Sequence, residues 1–565
     1  MVSVLLMAAA AVALVPAPKA AEWREGVRAF AEQDVRYVRD AALPREGYRI
    51  DIMPDAITVT SADDAGAFYA MKTLKQLSDA DGLAMARLSQ ARWSGSEPPA
   101  QTVPCGTVTD CPAFRWRGLL LDEGRHFFGK ETVKNLLDRM ADHKLNVFHW
   151  HLTEDQGWRL AIERFPELVQ YGSVRPESPV HGCRGNPEDY RGNGQPYGPW
   201  FYTAADVREI LAYARERFIT VVPEIEIPGH VRALLAAHPE FACRKGLSRV
   251  PRTMWGVESD VLCAGNDDAI RFMEQVYDEV CKLFPGAYVH IGGDECPKDR
   301  WKECPKCQAR IKSLGLKDED ALQAWVTRHF TEYLAKSGRR AVGWDEILAG
   351  NPCREVVVQT WHGAELAEKA ALAGHDVIVS APWSSLYFSI PQGVRDDPFT
   401  YLAPAMRLPL DKVYMVDPAS GISPDAKGRI LGAECCVWSE CVWNEYDLAF
   451  KLWPRACAFA EAVWTAPPEP RDFADFSRRM AVHRKRLIAA GTNCAPLENA
   501  KAVPGKGQPK AVFTAIFRGD GSHPEVVTDK TMATLDGHAG ETFRLIALDR
   551  LQNASKPTCI QLPEQ

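Results

Sequence analysis

Residues 286–295 read Gly286-Ala287-Tyr288-Val289-His290-Ile291-Gly292-Gly293-Asp294-Glu295. The apolar half predicts a short buried strand, and the paired glycines permit a sharp turn at which the backbone lies close to a ligand. Neighbouring side chains of a strand point to opposite faces, so Asp294 and Glu295 can reach one pocket only where the strand stops. The stretch therefore predicts a strand end that carries two carboxylates suited to catalysis; a solvated acidic loop is the alternative for this motif taken alone.

The chain around this stretch has a regular alternation of hydrophobic patterns. From Arg115 onward, short apolar runs alternate with amphipathic helices, a pattern typical of β-α units around a parallel sheet. Eight units over roughly three hundred residues predict a TIM barrel, an α/β fold whose chemistry lies at the C-terminal ends of its strands. The eight predicted strands are Arg117 to Leu121, Asn146 to His151, Thr220 to Glu226, Ala287 to Gly292, Arg340 to Gly343, Val356 to Gln359, Asp376 to Ser380 and Ile430 to Glu434.

Polar and aromatic residues cluster at the predicted strand ends, as that fold requires. The members of these clusters are Asp122 and Arg125, His151 with Asp155, Glu224 with His230, Asp294 with Glu295, Trp344 with Asp345, and Trp361. Their repeated position supports both the barrel and a site at its C-terminal face.

The sequence divides into five predicted regions. Residues 1–21 resemble a signal peptide, residues 22–112 form a small α+β domain, and residues 113–495 form the catalytic barrel. A Lys/Pro/Gly-rich linker, 496–510, precedes a short β-rich C-terminal extension, 511–565, whose role the sequence does not indicate. In the small domain, strands are predicted at Gly47 to Met53 and Ala56 to Ser61, followed by a helix at Ala65 to Leu77.

Composition limits the class of partner. The net charge is -7 without a long basic run, which predicts no nucleic-acid binding and no attraction to anionic membranes. The apolar run from Val2 to Val15 is too short to span a bilayer, so we expect no membrane insertion. The run instead predicts export to a periplasmic or extracellular location. A small neutral or polar substrate fits this composition, whereas the oligomeric state is not predicted.

The sixteen cysteines do not form a dense framework. Cys304-Pro305-Lys306-Cys307, with Cys296 upstream, has half of a zinc-site spacing, but no second Cys-x-x-Cys or histidine pair completes four ligands. We therefore predict neither a metal site nor a cofactor.

Five motifs, in order, resemble those of family 20 glycoside hydrolases, the β-N-acetylhexosaminidases. The resemblance extends from about Gly47 to Ala490 and includes the His290 to Glu295 stretch. The other motifs are Arg117-Gly118 with Leu121-Asp122 and Arg125-His126-Phe127-Phe128; His149-Trp150-His151-Leu152 with Asp155-Gln156-Gly157-Trp158-Arg159; Pro223-Glu224 with Pro228-Gly229-His230; and Trp438 with Glu440 and Leu452-Trp453-Pro454-Arg455.

The resemblance implies a role for each candidate residue. Glu295 is expected to be the general acid and base, and Asp294 to hold the N–H of the substrate's 2-acetamido group. Tyr387 is expected to hydrogen-bond the acetamido carbonyl. The remaining expected binding residues are the walls Trp344, Trp361 and Trp438, the hydroxyl ligands Arg117 and Glu440, and the pair Asp155 and His230, which supports the acid. We interpret His149, His151 and His290 as buried, hydrogen-bonded histidines.

The carboxylate pair also constrains the mechanism. Glycosidases with two opposing carboxylates hold them on either side of the sugar, which adjacent residues at one strand end cannot easily do. The family's solution is nucleophilic attack by the substrate's own acetamido oxygen, giving an oxazolinium intermediate and retention of configuration. Glu295 must keep its proton near neutral pH, and we expect its carboxylate neighbour and partial burial to raise its pKa.

The leading hypothesis is therefore an exo-acting retaining β-N-acetylhexosaminidase that removes terminal GlcNAc or GalNAc from glycoconjugates or chito-oligosaccharides. A disaccharide-releasing family member and a catalytically inactive sugar-binding protein are the alternatives. Glu154 and Glu226 stand where aspartate is frequent in the family, and Ser389 where Asp or Asn is frequent. The last departure bears on the choice between GlcNAc and GalNAc.

Overall fold

The computed structural model describes residues 12–79, 82, 101–179, 190–380, 386–393, 407–466 and 470–497, and the backbone of four strands beyond residue 512. Two compact units divide the chain. The first comprises residues 1–392 and 402–497, and the second comprises residues 393–401 and 498–565. The small α+β domain and the barrel both belong to the first unit.

The small domain is a five-stranded sheet covered by one helix. The strands are β1 (Ala20–Ala29), β2 (Val35–Arg39), β3 (Tyr48–Ile52), β4 (Ile57–Ser61) and β5 (Thr102–Asp110). They pair in the order β1-β5-β3-β4-β2. The helix α1 (Asp64–Ser78) begins where the Asp63 carboxylate accepts a hydrogen bond from the Gly66 N–H at 2.8 Å. The predicted hairpin and helix are confirmed, whereas β1, β2 and β5 were not predicted.

The folded domain begins before the predicted boundary at Glu22. Leu14 and Val15 are buried in the apolar cores, and the Val15 N–H donates to Gln76 Oε1 at 2.9 Å. Arg479 donates to the Leu14 carbonyl at 2.7 Å, which links this segment to a helix of the barrel. The boundary at Glu22 is therefore wrong, because apolar burial and backbone hydrogen bonds hold earlier residues in the domain.

The predicted barrel is confirmed. Eight parallel strands follow one another around a closed barrel in chain order, so that the last strand pairs with the first. They are β6 (Trp116–Asp122), β7 (Val147–His151), β10 (Thr220–Glu224), β11 (Tyr288–His290), β12 (Arg340–Trp344), β13 (Val357–Thr360), β14 (Val377–Val379) and β15 (Ile430–Val437). A small hairpin of β8 (Thr153–Glu154) and β9 (Gly157–Trp158) follows β7 and projects side chains over the C-terminal face.

Helices surround the barrel, and several begin with a side-chain cap. Thr203, for example, forms a reciprocal capping box with Asp206. The described helices are α2 (Lys130–Asp142), α3 (Glu167–Gly172), α4 (Ala204–Arg215), α5 (Arg232–Ala237), α6 (Asp267–Leu283), α7 (Asp299–Glu303), α8 (Pro305–Leu314), α9 (Glu319–Lys336), α10 (Ala364–Leu372), α11 (Leu410–Tyr414), α12 (Pro424–Lys427), α13 (Glu445–Leu452), α14 (Arg455–Trp464) and α15 (Phe473–Ala489).

The barrel interior changes character along its axis. One layer is apolar and contains Trp116, Val147, Val222, Val342, Val357, Ile378 and Leu431. The next layer toward the C-terminal ends is polar, and His149, His290 and Gln359 bind the buried carboxylates of Glu224 and Glu434 there. This polar layer is the floor on which the candidate site is built.

The C-terminal strands form a separate antiparallel sheet of order β17-β16-β18-β19, which confirms the expected β-rich extension. Its strands are β16 (Phe513–Arg518), β17 (Val526–Thr528), β18 (Thr542–Leu548) and β19 (Thr558–Gln561). The predicted linker falls almost entirely outside the described residues. Within the described part of the chain, no helix has the length and apolar character needed to cross a membrane.

Candidate active site

The two glycines after β11 are required by the local packing. Gly292 and Gly293 have φ angles of +66° and +99°, a region that favours glycine. A Cβ on Gly292 would lie 1.7 Å from Oε2 of Glu226, and one on Gly293 would lie 2.7 Å from Cγ2 of Ile347. The turn predicted from the sequence is therefore present, and it delivers Asp294 and Glu295 to the C-terminal face.

His230 brings the two carboxylates to the same side of the site. Its Nε2 atom lies 3.5 Å from Asp294 Oδ2 and 3.6 Å from Glu295 Oε2. His230 and Glu295 both have positive φ angles, +50° and +43°, which are uncommon for residues with a side chain and often mark functional sites. The predicted same-side arrangement of both acids is thus what the geometry shows.

Two carboxylates from the hairpin after β7 orient His230 from behind. Nδ1 of His230 lies 2.8 Å from Glu154 Oε1 and 3.3 Å from Asp155 Oδ2. Asp155 also accepts from the backbone N–H of Arg232 at 3.0 Å and of Glu258 at 3.2 Å. Asp155 therefore fixes the loop that carries the histidine, as well as the histidine itself.

The pKa of Glu295 does not shift in the expected direction. The close contact with His230, whose Nε2 lies 3.6 Å from Oε2, lowers the pKa of Glu295, and this outweighs the opposing effect of partial burial. Burial instead raises the pKa of Asp294 to about 6, although the His230 charge acts against this. The prediction failed because it considered the carboxylate neighbour and partial burial but not the nearby cation. Burial disfavours the charge on His230, but Glu154 and Asp294 hold the pKa of His230 well above its usual value.

Two further acids lie beside Asp294 and were not among the predicted site residues. Burial, and next the Asp294 charge, raise the pKa of Glu346 to about 9 and that of Glu226 well above the usual value. Both oxygens of Glu226 lack a hydrogen-bond partner among the described residues. Burial, together with repulsion between clustered carboxylates, explains why these two acids favour the protonated form.

Aromatic side chains form a connected wall beside the carboxylates. The ring centroid of Trp438 lies 5.7 Å from that of Trp344 and 6.2 Å from that of Tyr387, and Tyr387 stacks at 6.3 Å on Trp361. Trp361 also donates from Nε1 to Glu346 Oε2 at 2.9 Å. The structure therefore places all four predicted aromatic residues together. Burial raises the pKa of Tyr387 well above its usual value, so its hydroxyl keeps a proton to donate.

The arginine of the site is Arg125, and the prediction of Arg117 is wrong. The Arg125 guanidinium lies 5.4 Å from the Trp438 ring centroid. The negative charge of Glu440 is among the charges that favour the protonated guanidinium. It forms ion pairs with Asp122 at 3.3 Å and Glu154 at 3.1 Å. The guanidinium therefore lies on the same face as the aromatic wall, and so does the predicted Glu440.

Arg117 instead joins the barrel to the small domain. It is fully buried and donates to Glu46 at 2.5 Å, to the Lys144 carbonyl at 2.7 Å and to the Phe114 carbonyl at 2.9 Å. As the second residue of β6, it lies roughly 17 Å along the strand from the catalytic end. The rule that chemistry lies after the strands would have selected Arg125.

The buried histidines have the structural role that was predicted. His149 binds Glu434 at 2.7 Å, His290 lies 2.7 Å from Glu224, and His151 also hydrogen-bonds Glu224. Trp344 donates to Glu224 at 2.8 Å, so this carboxylate supports the aromatic wall from below. Trp150, Trp158 and Trp453 are buried core residues.

A cavity of about 400 Å³ lies on the exposed side of Glu295. Its lining includes Lys298, Asp320, Gln323 and Glu346. The Glu295 side chain is 43% exposed, whereas that of Asp294 is 15% exposed. One carboxylate thus faces an open cavity, and the other faces inward.

Comparison with known families supports the fold and assigns the chain to a family. The family description "Glycosyl hydrolase family 20, catalytic domain" matches residues 114–467, and "Glycosyl hydrolase family 20, domain 2" matches residues 6–111. The second match begins before Glu22, in agreement with the packing of residues 12–21.

Individual relatives are similar over most of the chain. A beta-hexosaminidase of Porphyromonas gingivalis is 42% identical over 80% of this chain, which spans only 55% of that relative. A beta-hexosaminidase of Akkermansia muciniphila is 32% identical over 85% of this chain and 91% of that relative. The structure of an exo β-N-acetylglucosaminidase from Vibrio harveyi with N-acetylglucosamine superposes with a TM-score of 0.73 at 28% identity, covering 86% of this chain and 79% of the other.

Proposed function

Because the chain belongs to glycosyl hydrolase family 20, we propose that it is an exo-acting, retaining β-N-acetylhexosaminidase that removes terminal GlcNAc or GalNAc from glycoconjugates or chito-oligosaccharides. The observation that carries this proposal is the approach of Asp294 and Glu295 to the same nitrogen of His230. Two acids on one side leave the opposite face of the sugar without a protein nucleophile, so the substrate's amide supplies the attacking atom.

Asp294 is suited to hold the acetamido N–H. Its Oδ1 atom is buried and has no hydrogen-bond partner among the described residues. An unpaired buried acceptor is unfavourable until a donor arrives, which favours a ligand that brings an N–H. With a pKa of about 6, Asp294 is mostly ionised at neutral pH and offsets the positive charge that develops on the amide.

Glu295 carries the proton in both halves of the reaction. In the first half its carboxyl proton passes to the glycosidic oxygen while the acetamido carbonyl oxygen attacks C1, and the aglycone leaves as an alcohol. In the second half the carboxylate takes a proton from water, the water oxygen bonds to C1, and the oxazolinium ring opens to restore the acetamido group. Both displacements invert C1, so the product keeps the configuration of the substrate.

The cavity beside Glu295 is where we place the leaving group. A leaving group there covers the exposed side of the Glu295 carboxylate and removes water from it. This loss of water raises the pKa of Glu295 toward the value that a general acid needs. The low pKa in the free site is therefore compatible with acid catalysis in the complex.

The aromatic wall and Arg125 define how the terminal sugar is held. Trp344, Trp361 and Trp438 offer apolar faces for the acetamido methyl and the sugar ring, and Tyr387 donates its hydroxyl to the acetamido carbonyl. Arg125 and Glu440 supply a donor and an acceptor for outer hydroxyls. A site whose polar groups bind the outer hydroxyls accommodates a chain terminus, which corresponds to exo action.

The proposal is tested with chromogenic β-glycosides of GlcNAc and GalNAc. We expect hydrolysis by the wild type and a loss of at least about 100-fold in kcat for Glu295→Gln, because the proton donor is removed. A thiazoline analogue of the oxazolinium intermediate should inhibit strongly. A correctly folded wild type that binds these sugars without hydrolysing them would instead favour a sugar-binding protein.

A further inference from the structure

Four cysteines from three separate segments converge beside the catalytic face. The Sγ atoms of Cys243, Cys263, Cys304 and Cys307 all lie within 4.8 Å of one another. Cys263 Sγ lies 3.7 Å from both Cys304 Sγ and Cys307 Sγ, and Cys243 Sγ lies 3.8 Å from Cys307 Sγ. The structure thus supplies the two ligands that the sequence lacked for the Cys304-x-x-Cys307 spacing. Cys296, the other cysteine nearby in sequence, does not belong to the cluster.

The spacing of these sulfurs matches a tetrahedral zinc site. A zinc ion bound by four thiolates at about 2.3 Å places the sulfurs about 3.8 Å apart along each edge of the tetrahedron. The three separations of 3.7 to 3.8 Å have this value. One ion can therefore occupy the centre of the cluster with little movement of the chain.

Disulfides explain the same distances less well. A disulfide joins its sulfurs at about 2.05 Å, so it selects one partner for each cysteine. Here Cys263 is equally distant from Cys304 and Cys307, while Cys307 is close to both Cys243 and Cys263. No pairing is preferred by the geometry, which is the expected result when all four sulfurs bind one central ion.

The backbone is shaped around the cluster. Gly265 packs against the Cys304–Cys307 turn so closely that a Cβ on it would lie 2.3 Å from the Cys307 nitrogen and 2.2 Å from the Lys306 carbonyl carbon. The Cys263 N–H donates to the Phe241 carbonyl at 2.9 Å, which fixes the segment that carries Cys243 and Cys263. Cys304 directly precedes α8, and Cys307 lies in its first turn. Each ligand is therefore held by local structure and not only by its neighbours in the cluster.

We propose that Cys243, Cys263, Cys304 and Cys307 bind one structural zinc ion. Each cysteine binds as a thiolate, so the four thiols release their protons as the ion binds. Four protein ligands leave no open position for water or substrate, and the ion takes no part in hydrolysis.

The zinc site would clamp together the two loops that build the catalytic centre. Cys243 and Cys263 follow His230 in the segment between β10 and β11, while Cys304 and Cys307 follow Asp294 and Glu295 in the segment between β11 and β12. Other contacts already join these loops: Arg300 donates to Asp260 at 2.8 Å, and Trp301 donates to the Leu262 carbonyl at 2.9 Å. The ion would add a strong cross-link at the same seam and help to hold His230 against the two acids.

The test is metal analysis of the full chain after purification without chelators. This measurement does not depend on any assay of hydrolysis. We expect about one zinc ion per chain, and X-ray absorption at the zinc edge should show a sulfur-only shell at about 2.3 Å. The double variant Cys304→Ser with Cys307→Ser should lose the zinc, whereas the matched control Cys353→Ser, a cysteine outside the cluster, should retain it. Removing zinc from the wild type should lower its melting temperature.

Three results would overturn the proposal. Each is measured on the wild-type protein, so a variant that fails to fold does not affect the test. The first is a chain that holds less than roughly a tenth of an equivalent of zinc, even after refolding with the ion. The second is an intact mass and peptide map that show disulfides among the four cysteines. The third is bound zinc with a shell of nitrogen or oxygen ligands.

Discussion

Nε2 of His230 lies 3.6 Å from Oε2 of Glu295, and this contact sets the charge of the proposed acid in the free site. Glu154 stabilises the protonated form of His230, so the histidine acts as a cation toward Glu295. The same cation faces Asp294, whose pKa nevertheless rises because it is more deeply buried. Unequal burial around one histidine thus separates the protonation behaviour of two adjacent carboxylates.

Replacing His230 should change the pH dependence of activity. The close contact with His230 lowers the pKa of Glu295, so His230→Gln should raise that pKa and move the alkaline limb of kcat/KM to higher pH. We also expect kcat to fall by roughly 10- to 100-fold, because Glu295 loses a positioning contact. His238→Gln, which alters a histidine paired with Glu240, is the control and should leave the profile unchanged. An unshifted alkaline limb in His230→Gln would contradict this account.

Neutralising Asp294 should lower the activity and raise the thermal stability at neutral pH. Its folded pKa is raised to about 6 from the ordinary 3.8, so the folded state binds the proton more tightly than the unfolded state. The resulting stabilisation is complete below about pH 4 and is lost as the pH rises through 6. Asp294→Asn should therefore have a higher melting temperature than the wild type at pH 7.5, with the difference shrinking toward pH 4.

The same variant should lose at least about 100-fold in kcat, because it cannot offset the charge that forms on the acetamido nitrogen. Thermal melts at several pH values, together with kinetics at pH 7.5, check both parts. A melting temperature for Asp294→Asn that is lower than wild type at pH 7.5 would refute the assignment of a buried, unfavourable charge.

Replacing the two arginines of the first barrel motif, one at a time, should distinguish a role in substrate binding from a role in folding stability. Arg125→Ala removes a donor beside Trp438 and Glu440, so kcat/KM should fall by roughly 10- to 1000-fold. Arg117→Ala leaves Glu46 buried without its partner, which should cost about 3–5 kcal/mol of unfolding free energy and leave KM nearly unchanged. Denaturant melts and steady-state kinetics on both variants distinguish these effects. A large change in KM for folded Arg117→Ala would restore Arg117 as a binding residue.

The N-terminal segment should be part of the stable fold. A chain that starts at Glu22 lacks the buried Leu14 and Val15 side chains, each worth about 1.5–3 kcal/mol when fully buried. It also lacks the hydrogen bonds from Gln76 and Arg479 to this segment. We expect a clearly lower melting temperature than for a chain that starts at Val12. Equal melting temperatures would instead agree with the leader that the sequence suggests.

The sequence predicted the features that depend on local patterns. The barrel strands follow from runs of apolar residues, and the turn at Gly292 and Gly293 follows from the absence of side chains. The position of Asp294 and Glu295 then follows from the rule that catalytic residues lie at strand ends. These predictions succeeded because the relevant physics acts within a few residues.

The failures involve contacts between residues that are distant in the sequence. Arg117 lies within a motif that also contains catalytic-face residues, and its contacts with Glu46 and Tyr69 show that it faces the small domain. The sign of the Glu295 pKa shift depends on His230, which is far away in the chain. The cysteine cluster likewise depends on Cys243 and Cys263, whose spacing carries no zinc-site pattern.

The central claim, that the substrate's own amide is the nucleophile, is tested most directly with substrates whose amide is made less nucleophilic. A series of 4-nitrophenyl β-glycosides with acetyl, fluoroacetyl, difluoroacetyl and trifluoroacetyl groups on the 2-amino nitrogen varies that property with little change in size. We predict that kcat/KM falls steeply with each added fluorine, because the carbonyl oxygen must attack C1 in the first step. A kcat/KM that stays constant across the series would contradict participation of the amide.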